Sequence, residues 1–132
     1  MRDTDEIEVR VYYEDTDMAG IVYYANYLKY IERGRTEFLR ALGVDQMALK
    51  EAEGTVFAVR KVTAEYISPA RMDDLLQVRT AIKQATGARV TMTQQVARNG
   101  DILFEADVEI VAMGPDGRPK RIPQILRKPA AG

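Results

Sequence analysis

The sequence predicts an α+β domain in which an antiparallel sheet covers one long helix, and three features predict it. Near the start, one stretch places its apolar residues three and four apart. After it come four stretches whose apolar residues alternate with polar ones. Short turn signals, "TGA" and "RNGD", separate the last three of these closely enough for hairpins. At 132 residues the chain has the size of a single domain, with no room for a second core.

Each element has its own local warrant. Ile7, Val9, Val11 and Tyr13 alternate with Glu8, Arg10 and Tyr12, which predicts a first strand. From about Tyr24 to Leu42, the residues Tyr27, Leu28, Ile31, Gly34, Phe38, Leu39 and Leu42 form one stripe, opposite Lys29, Glu32, Arg33, Glu37 and Arg40. That is an amphipathic helix of about five turns. Arg33 and Glu37 are spaced to pair, Gly34 implies close approach of the sheet, and Gly43 supplies a stop. A short helix is predicted over Asp45 to Glu53, followed by strands over Val56 to Ile67, Leu75 to Gln84, Arg89 to Ala97 and Ile102 to Ala112. Pro69 and Met72-Asp73-Asp74 separate the first two of these strands, and the four read as an antiparallel meander. Residues from about 114 to 132 are rich in Pro and Gly and read as a mostly irregular tail. One helix leaves sheet edges and much of a sheet face uncovered, so pairing with a second copy is expected.

Composition narrows the function. Nineteen basic and twenty acidic residues give a net charge of -1, which offers no general attraction for nucleic acid or an anionic membrane. No apolar run approaches the roughly 20 residues that cross a bilayer, and "MRDTDEIEVR" shows no leader pattern, so membrane insertion is not expected and a cytoplasmic location is. Cysteine and histidine are both absent. Disulfides, thiolate nucleophiles, imidazole bases and histidine-ligated metals are thereby excluded, and no metal site is expected. An enzyme built from this chain must work with carboxylates, backbone amides, hydroxyls, Lys and Arg.

The stretch "YYEDTDMAGIVYYANY" places Glu14, Asp15 and Asp17 in a turn leading into the long helix. Acidic residues suit turns and the positive end of a helix, so a purely structural role explains them. A functional one explains them too. A carboxylate facing the unsatisfied amides of a helix start stands beside donors suited to a polarised carbonyl, which is half of an acyl-transfer site. Without a histidine to protonate a leaving group, the chemistry favours a thioester, whose thiol has a pKa of about 8.5 and departs as the anion. If the strand continues through the turn, Asp15 and Asp17 share a face, and spacing does not choose between them.

The segments "VRVYYEDTDMAGIVYYANYLKYIERGRTEFLR" and "YISPARMDDLLQVRT" resemble the hotdog-fold acyl-CoA thioesterases of the 4-hydroxybenzoyl-CoA thioesterase type, including the branch encoded beside the Tol-Pal envelope system. The resemblance runs from about Val9 to Ala112 and rests on "D-x-D-x-x-G-x-V-x-Y-x-N-Y" together with "R-x-D-D". It implies a curved antiparallel sheet around one long central helix, with two subunits joining their sheets into a homodimer and dimers pairing into tetramers. It implies hydrolysis of a short-chain or aromatic acyl-CoA, with coenzyme A entering as part of the substrate and no separate cofactor. Acyl carrier protein is the other carrier it suggests. By the same resemblance Asp17 is the catalytic carboxylate, as nucleophile or as general base on water. The Tyr24 amide polarises the thioester carbonyl, Gly20 lets the turn bring the two together, and Asp15 is a structural acid. One departure stands out: the Tol-Pal-associated branch usually carries histidine where this chain has Tyr24. If position 24 acts through its backbone amide, the change is nearly silent. It also motivates a rival reading, a non-catalytic module that binds acyl-CoA or acyl carrier protein.

Several other residues admit two readings. Tyr12, Tyr13, Tyr23, Tyr24, Tyr27 and Tyr30 either line an aromatic acyl pocket, with Tyr23 in contact with substrate, or fill the sheet-helix core. Asn26 reads as a helix N-cap, and "RMDD" as a turn with an ion pair. Arg89, in the "TGARVT" hairpin, is the expected contact for coenzyme A phosphates, with Lys83, Lys120 and Arg121 as further candidates.

Overall fold

In the computed structural model, which describes residues 4–127, strand β1 (Thr4–Arg10) leads through a single 3-10 turn at Tyr13–Asp15 to helix α1 (Asn26–Ala41). Helix α2 (Gln46–Glu53) and strands β2 (Val56–Tyr66), β3 (Leu75–Ala85), β4 (Arg89–Arg98) and β5 (Asp101–Met113) follow. The short β6 (Pro119–Lys120) and α3 (Gln124–Arg127) close the chain. The long strands form one antiparallel sheet in the order β1-β3-β4-β5-β2, and α1 lies across β1, β3 and β4.

Most predicted elements fall within two or three residues of their observed bounds, and the differences have local causes. The first strand was expected to reach Tyr13, but β1 ends at Arg10, because the Asp15 carboxylate takes the Tyr12 N–H at 2.8 Å and tightens the chain into the 3-10 turn. Asp15 and Asp17 therefore do not share a strand face. Helix α1 starts at Asn26 rather than Tyr24, and Asn26 does not cap it: its side-chain amide donates to Asp15 Oδ1 at 2.9 Å. Leu28, placed in the buried stripe by spacing, is exposed, while Tyr30 is fully buried. Glu37 pairs with Arg40 at 2.6 Å instead of with Arg33. Asp45, read as the first residue of the short helix, instead caps α2 by accepting the Ala48 N–H.

The meander holds for β3, β4 and β5, with Asn99 and Gly100 both at positive φ in the "RNGD" turn. It fails for β2, which pairs with β5 and not with β3. After Tyr66, the N–H groups of Ile67 and Ser68 both donate to the Leu103 carbonyl, at 2.8 and 3.0 Å, and 69–74 then carries the chain past the sheet end. Within that crossover Ala70 is fully buried, its N–H donating to the Tyr27 hydroxyl and its carbonyl accepting the Val22 N–H. Sequence alternation carries no sign of such a crossing. One consequence positions the rest: β2 is left at the sheet edge.

Tyr30, Ile31 and Phe38 of α1 meet Leu76, Val78, Met92, Val96, Phe104 and Val108 of the sheet, all essentially solvent-free. Burial of each such side chain contributes roughly 1.5–3 kcal/mol. Gly34 has the expected reason: a Cβ there would stand 2.9 Å from Val78 Cγ1 and 3.0 Å from Thr80 Oγ1. Beside it, the fully buried Gln94 donates to the Ile31 carbonyl and to Thr80 Oγ1, each at 2.8 Å, and accepts from Arg35 at 3.1 Å. The tail contributes to the core through Ile122 and Leu126.

Candidate active site

The segment between β1 and α1 is a small hairpin folded on its own backbone. Thr16 pairs with Val22, Asp17 N–H donates to the Ile21 carbonyl at 2.9 Å, and Gly20 N–H donates to the Asp17 carbonyl at 3.0 Å. Gly20 sits at φ +78 with open space where a Cβ would go, so backbone conformation rather than crowding requires glycine. A second bridge, Ile21 to Arg71, ties the hairpin to the crossover. That crossover is braced by Asp74, whose Oδ2 accepts the Arg71 N–H at 2.8 Å and the Arg98 guanidinium at 2.7 Å. Burial pushes the Asp74 carboxyl up, but the Arg71 amide and Arg98 together hold it below the ordinary range. The ion pair expected in "RMDD" is therefore made, with Arg98 as the base.

The two aspartates differ in their bonding. Asp15 is fully engaged: Oδ2 takes the Tyr12 N–H, Oδ1 takes the Asn26 amide, and its backbone carbonyl takes the Tyr23 N–H at 2.9 Å. The Tyr30 hydroxyl is buried close to this pair. Burial foremost, and then the Asp15 charge, push that hydroxyl's ionisation far up, so it stays neutral. Asp17 is exposed, and one of its oxygens accepts the Ala19 N–H at 2.9 Å. Its other oxygen has no protein partner among the described residues.

At the start of α1, neither the Tyr24 nor the Ala25 N–H has an acceptor among the described residues. Ala25 is the N-cap of α1 and Tyr24 the residue before it, so both stand at the end where the macrodipole adds positive potential. Asp17 and Tyr24 lie on opposite sides of the Thr16–Val22 bridge, one and two residues beyond it. Asp17, Gly20, Tyr23 and Tyr24 all lie in this hairpin or between it and α1.

The tyrosines divide between the two readings. Tyr27 and Tyr30 are core residues, and burial also pushes the Tyr27 hydroxyl up. Tyr23 and Tyr24 are exposed, with ring centroids 4.9 Å apart. The seventh tyrosine, Tyr66 at the end of β2, was missed by sequence reasoning. Its hydroxyl donates to the Tyr24 carbonyl at 2.9 Å and its ring meets Tyr24, Tyr27 and Phe104. Its strand position shortly before Pro69 was the available signal, but nothing in the sequence places β2 against the helix start.

Arg89 lies elsewhere in the same chain. It pairs with Val111 in the sheet, whereas Tyr66 pairs with Phe104, seven residues away along β5 and so roughly 23 Å. There Arg89 and Arg60 share Glu109 and line a cleft of about 400 Å³ with Val111, Met113 and Pro119. The Arg60 hydrogen bond foremost, with Arg89, holds the Glu109 carboxyl below its ordinary range. Lys83 is paired with Asp107, Lys120 donates to the Glu53 carbonyl, and the Arg121 guanidinium covers Gly87. Among the described residues, no group of three acidic side chains is placed to hold a metal ion, and no helix is long and apolar enough to cross a membrane.

Comparison with known proteins places this architecture. Residues 11–129 match the model of the thioesterase-like superfamily. The acyl-CoA thioester hydrolase YbgC of Escherichia coli O157:H7 is 44% identical over 120 residues, covering 89% of each chain. The acyl-CoA thioesterase YbgC of Haemophilus influenzae is 42% identical over 105 residues, covering 80% of this chain and 77% of that one. Among solved structures, a probable thioesterase from Bartonella henselae superposes with a TM-score of 0.87 at 39% identity, over 91% of this chain and 99% of the other. A 4-hydroxybenzoyl CoA thioesterase mutant complexed with 4-hydroxybenzoyl CoA superposes with a TM-score of 0.89 at 21% identity, over 95% and 99%, a likeness of fold. The fold is the hotdog fold that the motifs led us to expect, and the chain belongs to the thioesterase-like superfamily.

Proposed function

We propose that this chain is an acyl-CoA thioesterase that hydrolyses a short-chain or aromatic acyl-CoA to free acid and coenzyme A, with Asp17 as the working carboxylate. The observation that carries the reading is the pairing, on one hairpin, of a carboxylate with a free oxygen and two backbone N–H groups without acceptors. Similarity to acyl-CoA thioester hydrolases across most of the chain supports the activity class. The Tyr24 N–H, aided by Ala25 and the helix dipole, receives the thioester oxygen as negative charge develops there. Asp17 either attacks the carbonyl carbon, giving a mixed anhydride that water cleaves, or takes a proton from the attacking water. In both routes the C–S bond breaks, the thiolate leaves unaided, and water supplies the new acid oxygen. No metal or bound cofactor takes part, and the activity belongs in the cytoplasm, where acyl-CoA is found.

The same reading includes a homodimer. β2 pairs with β5 alone among the described residues, and its exposed side carries Val59 and Val62. Such an edge calls for a partner strand. Two β2 edges paired antiparallel about a two-fold axis put the Tyr66 end of one chain beside the Val56 end of the other. That is the end nearer Arg60 and Arg89, so the partner's guanidinium groups are brought toward the coenzyme A phosphates. Dimers pair into tetramers in this reading.

Thiol release from acetyl-, butyryl-, hexanoyl-, phenylacetyl-, benzoyl- and 4-hydroxybenzoyl-CoA, with one acyl carrier protein thioester alongside, tests the proposal. Turnover of at least one member is expected, and the best one names the acyl class. Tight binding of acyl-CoA with no thiol release from any member would replace the thioesterase with the non-catalytic binding module.

A further inference from the structure

We propose that Tyr66 is a positioning residue for thioester hydrolysis, its hydroxyl holding the peptide group that aims the carbonyl-binding amides at the start of α1. This rests on the reading of Tyr24 given above. Tyr66 Oη donates to the Tyr24 carbonyl at 2.9 Å, across 42 positions of sequence. That carbonyl precedes the helix, and the Leu28 N–H, its regular donor four residues on, bonds Ala25 instead at 3.2 Å. A side chain from the edge strand therefore does what helix hydrogen bonding would otherwise do.

The consequence for the donors follows from peptide geometry. The Tyr24 carbonyl and the Ala25 N–H are the two ends of one planar group, so fixing the oxygen fixes the direction of that N–H. It also restrains the Tyr24 backbone torsions, and with them the Tyr24 N–H. A donor on the oxygen further polarises the same peptide, which strengthens the Ala25 N–H as a donor. The Tyr66 ring is itself held in place, edge-on to Tyr24 at 6.2 Å, Tyr27 at 5.4 Å and Phe104 at 5.0 Å. In the single chain Tyr66 is 48% exposed, so burial within the chain does not force its hydroxyl onto a protein carbonyl. Partial burial pushes its ionisation up, which keeps the donor protonated across the neutral range.

Tyr66→Phe removes the hydroxyl and keeps the ring. With the best acyl-CoA of the panel, kcat is expected to fall about tenfold or more, with KM within about threefold. The midpoint of thermal unfolding should move by less than about 5 °C. Phe104→Leu, run in parallel, loosens the ring packing and leaves the hydroxyl, and is expected to lose unfolding temperature with a smaller loss of kcat. Wild-type kcat in Tyr66→Phe, or an equal kcat loss in Phe104→Leu, overturns the proposal. An Asp17→Asn arm separates the two levels of argument. If Asp17→Asn is inactive while Tyr66→Phe is fully active, only the role of Tyr66 falls. If Asp17→Asn is fully active, the reading of the site falls, and the role of Tyr66 with it.

Discussion

Two carboxylates two positions apart in "EDTD" have been given different work by their neighbours. Asp15 spends one oxygen on the Tyr12 N–H and the other on Asn26 of α1, while Asp17 commits one oxygen to Ala19 and keeps the other open. A third acid, Asp74, braces the crossover against which the hairpin leans. Its carboxyl is depressed in the folded chain, so the stability it supplies is present above the unfolded value of about 3.9 and is lost as pH falls through the folded value. Asp74→Asn should therefore lower stability by about 1 kcal/mol at pH 7, discounted for partial exposure. Urea unfolding at pH 7 and at progressively lower pH checks this, with the gap between variant and wild type narrowing as pH falls below the unfolded value. At this scale the sequence was partly legible. The acidic turn, its glycine and the missing histidine pointed to carbonyl chemistry, but choosing Asp17 over Asp15 took the family resemblance. The separating hydrogen bonds are tertiary, since Asn26 reaches Asp15 only once the hairpin has folded.

Among the elements, α1 was the most legible, because a buried helix must repeat its apolar residues at its own period. Gly34 was legible as well, and it makes a prediction that runs against helix propensity. Alanine there gains about 1 kcal/mol of propensity, yet its Cβ would meet the stiff Val78 side chain at 2.9 Å. The net effect of Gly34→Ala should be a loss of about 1–2 kcal/mol, read as a lower thermal midpoint. A gain would mean that the sheet yields more readily than its packing implies. The placement of β2 was not legible. Strand alternation reports which residues face inward but not which strand is the neighbour, and the crossover is fixed by contacts of Ala70 and Leu103 distant in sequence. Tyr66 was missed for the same reason.

For the whole molecule, the homodimer we propose answers both the β2 edge left unpaired among the described residues and the separation of Arg89 from the hairpin. Residue 62 lies next to the middle of β2, so a two-fold axis there brings the two copies of it close together. Val62→Asp would set two like charges across that axis and should convert a dimer of twice 14.9 kDa into monomers, with loss of turnover. Light scattering after gel filtration reads the mass, and a monomeric wild type would remove the shared site. The expectation of a partner came from one helix set against so many strands, whereas naming β2 as the edge proposed to meet it required the strand order.

The most direct test of the central claim is a comparison of kcat for wild type and Asp17→Asn on the preferred acyl-CoA, with substrate affinity measured on both. Our account predicts that the variant binds acyl-CoA as wild type does and loses at least about a hundredfold in kcat, roughly 2.7 kcal/mol of barrier. Equal turnover by the two proteins would contradict it and move the chemistry to another acid.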